Sequence, residues 1–366
     1  MDMRAALATT PAEPFSFASF SLEAPRPDEL RVRIVATGIC HTDIAVKNQD
    51  VLLPLPMVLG HEGAGVVEAV GSAVSHFKVG DHVVLSGDSC GTCRKCQHGQ
   101  TSYCDEFVER NLTGFRTDGT SPCAQGADAV RGRFCGQSSF ATHSIVSARS
   151  AIKIARDYPL ELMGPLGCGL TTGVGTVLNA LKPPAGSSIA VFGAGTVGLS
   201  AVMGAALAGC AKIIVVDPVA SRREMALSLG ATHALDAAET GIDEEIIGLT
   251  AGGADFSVEC SGVPAAVNVA IKCLARPGWC AQVGAPPGGT IHPLDMDHVG
   301  FGRGIRGVVM GDANPQTFVP YLAELHASGR LPYERFVKFY DFEDINTAVA
   351  DSERGDVIKP ILRISS

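Results

Sequence analysis

Cysteine carries the most visible chemistry in this chain. Cys90, Cys93, Cys96 and Cys104 fall in a C-x2-C-x2-C-x7-C run, and four thiolates on one short turning segment close a tetrahedral, all-sulfur metal site with no vacant position. A closed zinc site of that kind is structural. In small peptides it contributes about 10–16 kcal/mol, enough to order a loop with little core of its own. An iron–sulfur cluster competes for the same thiols, because the first three cysteines have the compact spacing of bacterial ferredoxins. The fourth comes after seven residues rather than three, and Asp105 rather than proline follows it, which disfavours the cluster. The other eight cysteines, at positions 40, 123, 135, 168, 210, 260, 273 and 280, are scattered. Met1-Asp2-Met3-Arg4 leads into no apolar run of a secretory signal, so a cytoplasmic chain with reduced thiols is expected.

A second kind of chemistry lies in Gly193-Ala194-Gly195-Thr196-Val197-Gly198, which follows the apolar run Ile189–Phe192 and opens a helical stretch. In that context G-x-G-x-x-G is a dinucleotide-binding turn. The first glycine permits the tight turn, the second lets backbone approach a pyrophosphate, and the third lets helix pack on strand. The helix N-terminus then faces the phosphates. Asp217, nineteen residues past Gly198, can accept hydrogen bonds from ribose hydroxyls and would repel a 2′-phosphate, so NAD is favoured over NADP. Arg222, just beyond, softens that preference if it pairs with a phosphate.

A third constellation is spread further. Cys40-His41-Thr42-Asp43 precedes Gly60-His61-Glu62-Gly63-Ala64-Gly65, and Cys168 stands far along, before the glycine turn. With these motifs in this order and spacing, and with its terminal strand, the chain resembles the zinc-dependent medium-chain alcohol dehydrogenases over essentially its full length. It is most similar to their aryl-alcohol (benzyl alcohol) branch through Asn111-Leu112-Thr113-Gly114-Phe115-Arg116 and Phe134-Cys135-Gly136-Gln137-Ser138-Ser139-Phe140. The resemblance implies two zinc ions per chain, one structural in the four-cysteine lobe and one catalytic on Cys40, His61 and Cys168. The catalytic ion's fourth position would be open to water or alcohol, whose pKa it would lower. Asp43 would orient His61, and Glu62 would approach the metal as substrate exchanges. Thr42 would take the alcohol proton and pass it to the nicotinamide ribose. The position that carries that proton onward in several relatives is Ala45 here, so water or His41 is expected to complete the relay.

The same resemblance puts His41 and Lys359 on the cofactor pyrophosphate, and the backbone of Val283, Val308 and Met310 on the nicotinamide carboxamide. Val51, Ser86, Phe134 and Cys135 would line the substrate pocket with residues of the 112–116 loop. A small Ser86 would widen the channel, and an aromatic face at Phe134 would favour rings by about 0.5–1.5 kcal/mol. The implied reaction is oxidation of a primary aromatic alcohol to an aldehyde with hydride transfer to NAD. Geraniol- or cinnamyl-type alcohols are the alternative substrates, and a non-catalytic, zinc-stapled nucleotide sensor is the alternative class.

The elements that must position these residues read as α/β. From Arg4 to about Ser150, short β-type runs punctuated by glycine and proline describe an irregular β-barrel, GroES-like by the resemblance. From about Ser187, strands at Ile189–Phe192, Ile213–Asp217, Asp255–Glu259, Cys280–Val283 and Gly307–Met310 alternate with helices, the pattern of a doubly wound parallel Rossmann sheet. The expected division is a catalytic domain at 1–169 and 310–366 around a cofactor domain at 170–309. A helix opening at Asn314-Pro315, another near Phe342–Glu353 and a strand Pro360–Ile364 finish the chain. The 366 residues carry a formal charge of −9, which leaves no basic footprint for nucleic acid or an anionic membrane. The charge-free stretch Pro183–Ala211 is long enough to span a bilayer, but Gly193, Gly195, Gly198, Gly204 and Gly209 break it into a strand and a helix. The partners expected are a small alcohol or aldehyde and further copies of the chain, as a homodimer or homotetramer.

Overall fold

The computed structural model describes residues 1–126 and 128–365. The chain divides into two units. One comprises Met1–Cys168, Asn314–Gly329 and the chain from Tyr333 on; the other comprises Gly169–Ala313 with Arg330–Pro332. Among the described residues no helix is long and apolar enough to cross a membrane.

The first unit begins with ten strands: β1 (Asp2–Ala8), β2 (Ser16–Leu22), β3 (Glu29–Gly38), β4 (Met57–Val58), β5 (Glu62–Val70), β6 (His82–Leu85), β7 (Cys123–Gln125), β8 (Asp128–Val130), β9 (His143–Ser147) and β10 (Ala151–Ile154). The second unit holds β11 (Ser188–Phe192), β12 (Lys212–Val216), β13 (His233–Leu235), β14 (Ala254–Glu259), β15 (Leu274–Gln282) and β16 (Arg303–Gly307), and the chain returns to the first with β17 (Val337–Asp341) and β18 (Lys359–Arg363). One sheet of the first unit runs β4-β1-β2-β7-β8; the other runs β10-β6-β5-β3-β18-β17, with β9 also on β3. β18 therefore lies against the strand that delivers Cys40, pairing Ile361 with Gly38. Inward-facing residues alternate along β3, where Leu30, Val32 and Ile34 are fully buried, as a half-buried antiparallel strand requires.

In the second unit the strands run β13-β12-β11-β14-β15-β16, all parallel. β11 is buried at every position, the continuous apolar run of a strand covered on both faces. The helix Pro264–Lys272 starts with proline at its first turn, and Gly230, at φ 115°, ends the helix Ala220–Ser228.

Two boundaries differ from the sequence pattern. The strand expected at Gly307–Met310 stops at Gly307, because Met310, Gly311 and Asp312 take left-handed backbone angles in a tight turn. That turn lies against the helix Gly169–Gly175 of the second unit: a Cβ on Gly311 would meet the Thr171 carbonyl at 2.5 Å, and Asn179 donates to the Gly311 carbonyl at 3.2 Å. The crossing back to the first unit consequently falls after Ala313 rather than before Met310.

Candidate functional site

Cys40 follows β3 and caps the helix His41–Asn48. Asp43 in the first turn of that helix is fully buried and ties three groups together. Its Oδ2 accepts the Cys40 amide at 3.0 Å, and its Oδ1 accepts the Gly60 amide at 3.0 Å and the His61 Nδ1 proton at 2.9 Å. With Nδ1 occupied as a donor, Nε2 is the nitrogen left to bind a metal. Gly60 (φ 91°) turns the chain sharply before β5. Cys168 follows the short turn Gly164–Gly167, whose last carbonyl accepts from Ser86 Oγ at 2.8 Å. The two sulfurs and the imidazole nitrogen of Cys40, Cys168 and His61 lie within 4.8 Å of one another.

The electrostatics suit a cation there. The Cys40 thiol is held well below its ordinary value, first by a hydrogen bond with Cys168 and then by the positive charge of His61 and Lys359. Cys168 is pushed well above its value by the same hydrogen bond and by burial. The opposite shifts are two sides of one hydrogen bond between the thiols, and a divalent ion there would stabilise both as thiolates. Burial alone would lower the His61 pKa, but Asp43, Cys168 and Cys40 raise it well above the usual imidazole value. Two sulfurs and one nitrogen, oriented by a carboxylate, fit zinc with a vacant position.

The four-cysteine lobe is equally compact. Its sulfurs lie within 4.8 Å of one another, and Cys90 and Cys96 Sγ are 3.9 Å apart. Tetrahedral zinc with bonds of about 2.3 Å places sulfurs about 3.8 Å apart. The amides of Thr92 and Cys93 point at Cys90 Sγ, and those of Cys90 and Glu106 at Cys104 Sγ. Hydrogen bonds to Thr92 and Cys93 bring Cys90 down to about 6, while burial pushes Cys104 up to about 12.

Around the mixed-ligand centre the expected residues differ in exposure. Thr42 and His41 are exposed, with Thr42 Oγ1 3.9 Å from Cys40 Sγ; Ala45 is buried. Ser86 and Phe134, expected on the pocket wall, have almost no accessible surface. The Ser86 hydroxyl holds the turn before Cys168, and the Phe134 ring packs edge-on against the His61 ring, 5.6 Å between centroids at 85°. Cys135 and Val51 remain partly exposed and, with Leu112, pack on the apolar cluster that includes Ile39 and Phe134. Burial raises the Cys135 thiol to about 12. Arg116, at the end of the expected pocket loop, turns away to pair with buried Glu29 at 2.8 Å.

Lys359, expected on a pyrophosphate, has a different partner. It is 1% exposed, and its Nζ donates to both oxygens of fully buried Glu62 at 3.0 and 2.8 Å and to the Ile39 carbonyl at 2.9 Å. Burial raises the Glu62 pKa against the pull of Lys359. Sequence reasoning missed this pair because 297 positions separate its members. It also missed Gln137, whose amide bridges the backbone around His61; its place in the 134–140 motif was the only signal.

The glycine turn in the second unit has the anatomy its sequence suggests. Gly193 sits at φ 93°, a Cβ on Gly198 would strike the Gly193 carbonyl at 1.8 Å, and a Cβ on Gly195 would meet nothing within 4 Å. Thr196 and Val197 open the helix Thr196–Leu207 with no side-chain cap at Gly195, a terminus suited to phosphate. Asp217 is buried and accepts the Ala194 amide at 2.7 Å and the Val219 amide at 2.8 Å. It therefore braces the turn as well as standing at the strand end. Arg222 is half-buried, with a buried Nε that has no hydrogen-bond partner among the described residues. The amides of Val283 and Val308 bond to Glu259 and Gln282 carbonyls, so these residues could offer a carboxamide only carbonyl groups.

Residues 26–156 match the family described as alcohol dehydrogenase GroES-like domain, and residues 196–327 match the family described as zinc-binding dehydrogenase. A geraniol dehydrogenase from Castellaniella defragrans is 41% identical over 352 residues, spanning 95% of this chain and 94% of that protein. Among solved structures, an alcohol dehydrogenase zinc-binding domain protein from Burkholderia ambifaria superposes with a TM-score of 0.97 at 47% identity, over the whole of both chains. Benzyl alcohol dehydrogenase from Acinetobacter calcoaceticus does so with a TM-score of 0.96 at 41% identity, also over both whole chains.

Proposed function

We propose that this chain, which belongs to the zinc-binding alcohol dehydrogenase family, oxidises primary alcohols whose hydroxymethyl group sits on an unsaturated carbon, with NAD as hydride acceptor. Benzyl alcohol is the leading substrate, and geraniol- or cinnamyl-type allylic alcohols are the second. The observation that carries the reading is the convergence of Cys40, His61 and Cys168, with the Phe134 ring edge-on to the His61 ring and Cys135 near enough to feel the charge of His61 and Cys40. The named substrates of two relatives, geraniol and benzyl alcohol, share that hydroxymethyl group on an unsaturated carbon.

Zinc on the three ligands would supply Lewis acidity that acidifies an alcohol, and NAD the acceptor for its hydride. The chain's own residues do the rest. Asp43 fixes the His61 tautomer and, through the Cys40 amide, the cap that carries the first thiolate. Thr42 Oγ1 takes the alcohol proton at the exposed edge of that cap, and His41 or water removes it, since Ala45 has no group to do so. The Phe134 ring on His61 and the neighbouring Cys135 keep the surroundings of the centre apolar, while Asp217 favours a free ribose 2′-hydroxyl and hence NAD. A homo-oligomer is supported by β16, an edge strand beside exposed Trp279, Met296 and Phe301, because such edges are usually covered.

The test is a kcat/KM panel of benzyl, cinnamyl, geranyl and aliphatic alcohols with NAD and NADP. The reading requires aromatic and allylic alcohols to exceed ethanol, and NAD to exceed NADP. Equal efficiency with ethanol overturns the substrate class. Absence of any NADH formation with every alcohol favours the sensor.

A further inference from the structure

We infer that Gln137 is a positioning residue for His61, its carboxamide standing in for a strand that the sheet lacks at that point. β5 is paired on one side by β3 as far as Glu62, which lies opposite Gly38. On its other side β6 begins to pair only at Ala64, opposite Val84. The His61 carbonyl and the Gly63 amide precede that pairing. Gln137 Nε2 donates to the His61 carbonyl at 2.9 Å, and its Oε1 accepts the Gly63 amide at 3.1 Å. One side chain thus supplies the donor and acceptor of a missing strand residue. Only a primary amide of this length does both.

The clamp is itself rigid. Gln137 has no exposed surface; its backbone N–H donates to the Phe134 carbonyl at 3.0 Å, and its backbone carbonyl accepts from Ser144 Oγ. The flanking turn is stitched to the same stretch of chain. Ser138 Oγ donates to the Val58 carbonyl at 2.6 Å, the Ser139 amide to Gly60 at 2.9 Å, and the Phe140 amide to Leu59 at 3.0 Å. From the start of this turn, the Phe134 ring packs against the His61 ring. A Cβ at position 63 would lie 2.8 Å from Ser139 Cβ and 3.1 Å from Gln137 Oε1, so Gly63 is the residue that lets the clamp close. Asp43 sets the rotation of the imidazole, and Gln137 sets the backbone from which it projects. Such outer partners typically change metal affinity or activity 10–100-fold.

This inference rests on His61 being a metal ligand, as in the proposed function. The experiment compares the zinc-loaded full-length wild type with Gln137→Met and Gln137→Glu. Three readouts are zinc release to a chromogenic chelator, the visible spectrum after Co2+ replaces the catalytic ion, and the split between kcat and KM for benzyl alcohol. Gln137→Met, which loses donor and acceptor, should speed the mixed-ligand zinc phase about tenfold or more and leave the four-cysteine phase unchanged. It should also shift the Co2+ absorption and lower kcat more than KM. Gln137→Glu keeps the acceptor for Gly63 and the side-chain shape; it should fall between, and it carries the test if the methionine variant does not fold. Wild-type release rates and Co2+ spectra in a variant that merely melts earlier would overturn the inference. If the wild type itself holds zinc only in the four-cysteine lobe, the proposed function fails first and the clamp with it.

Discussion

Replacing Lys359 by methionine removes the counter-charge of a carboxylate that has no contact with solvent. Lys359 and Glu62 are 1% and 0% exposed, and the ammonium lies 2.8 and 3.0 Å from the two carboxylate oxygens. Breaking a buried pair by removing one partner costs about 3–5 kcal/mol, because the remaining charge stays desolvated. A solvent-screened pair of the same geometry would contribute about 0–1 kcal/mol. The decisive comparison is a cycle of Lys359→Met, Glu62→Gln and the double variant, with each single change costing several kcal/mol and the double variant recovering much of the loss. Metals and two units make a single global unfolding energy ill-defined. Native-state hydrogen exchange of β3, β5 and β18 amides in the zinc-loaded protein reads the local effect instead. A Lys359→Met protein within about 1 kcal/mol of wild type, with no recovery in the double variant, would refute the reasoning and return Lys359 to the pool of side chains available for a phosphate.

Other perturbations separate the remaining parts of the account. Cys104→Ser should lower zinc content from two ions per chain to one and expose residues 90–104 to limited proteolysis, with the mixed-ligand site still loaded. Gly195→Ala should leave the melting temperature unchanged, since its Cβ meets nothing, yet raise the KM for NAD at least about tenfold where backbone must approach pyrophosphate. Gly198→Ala should damage both, because its Cβ would strike the Gly193 carbonyl. Glu29 is held below its ordinary value: burial opposes this, but Arg116, the Arg26 amide and Arg133 outweigh it. Its folded pKa is thus the lower one, so its stabilisation is full above about pH 4.3 and is lost as pH falls below that value. Glu29→Gln should flatten this acid limb in urea titrations and cost about 3–5 kcal/mol at neutral pH by leaving Arg116 and Arg133 buried without it.

What could be read from sequence was chemistry confined to short spacings. The four-cysteine run, the Cys40–Asp43 cap and the glycine turn each declare themselves within a few residues, because ligand and phosphate geometry dictates their spacing. Alternating apolar strands gave the two sheet types in the same way. The strand limit at Gly307 was hidden because Val308 and Val309 have strand-forming side chains, whereas left-handed turns at Met310–Asp312 depend on packing against the helix Gly169–Gly175. That helix was itself obscure. In it a Cβ on Gly173 would lie 2.2 Å from the Val197 carbonyl, so close helix packing requires glycine there. Ser86, Phe134, Gln137 and Lys359 were all visible as residues near motifs, but their orientations follow from partners dozens to hundreds of positions away. Tertiary contacts decided which way each side chain faced.

A zinc ion held by Cys40, His61 and Cys168 is the premise of the proposed chemistry. Diffraction from zinc-loaded crystals at the zinc absorption edge tests it directly. Two anomalous peaks per chain are predicted, one inside the four-cysteine lobe and one about 2.3 Å from the sulfurs of Cys40 and Cys168 and about 2.0–2.1 Å from His61 Nε2. A single peak in the lobe, in crystals of a protein that still oxidises benzyl alcohol, would contradict it.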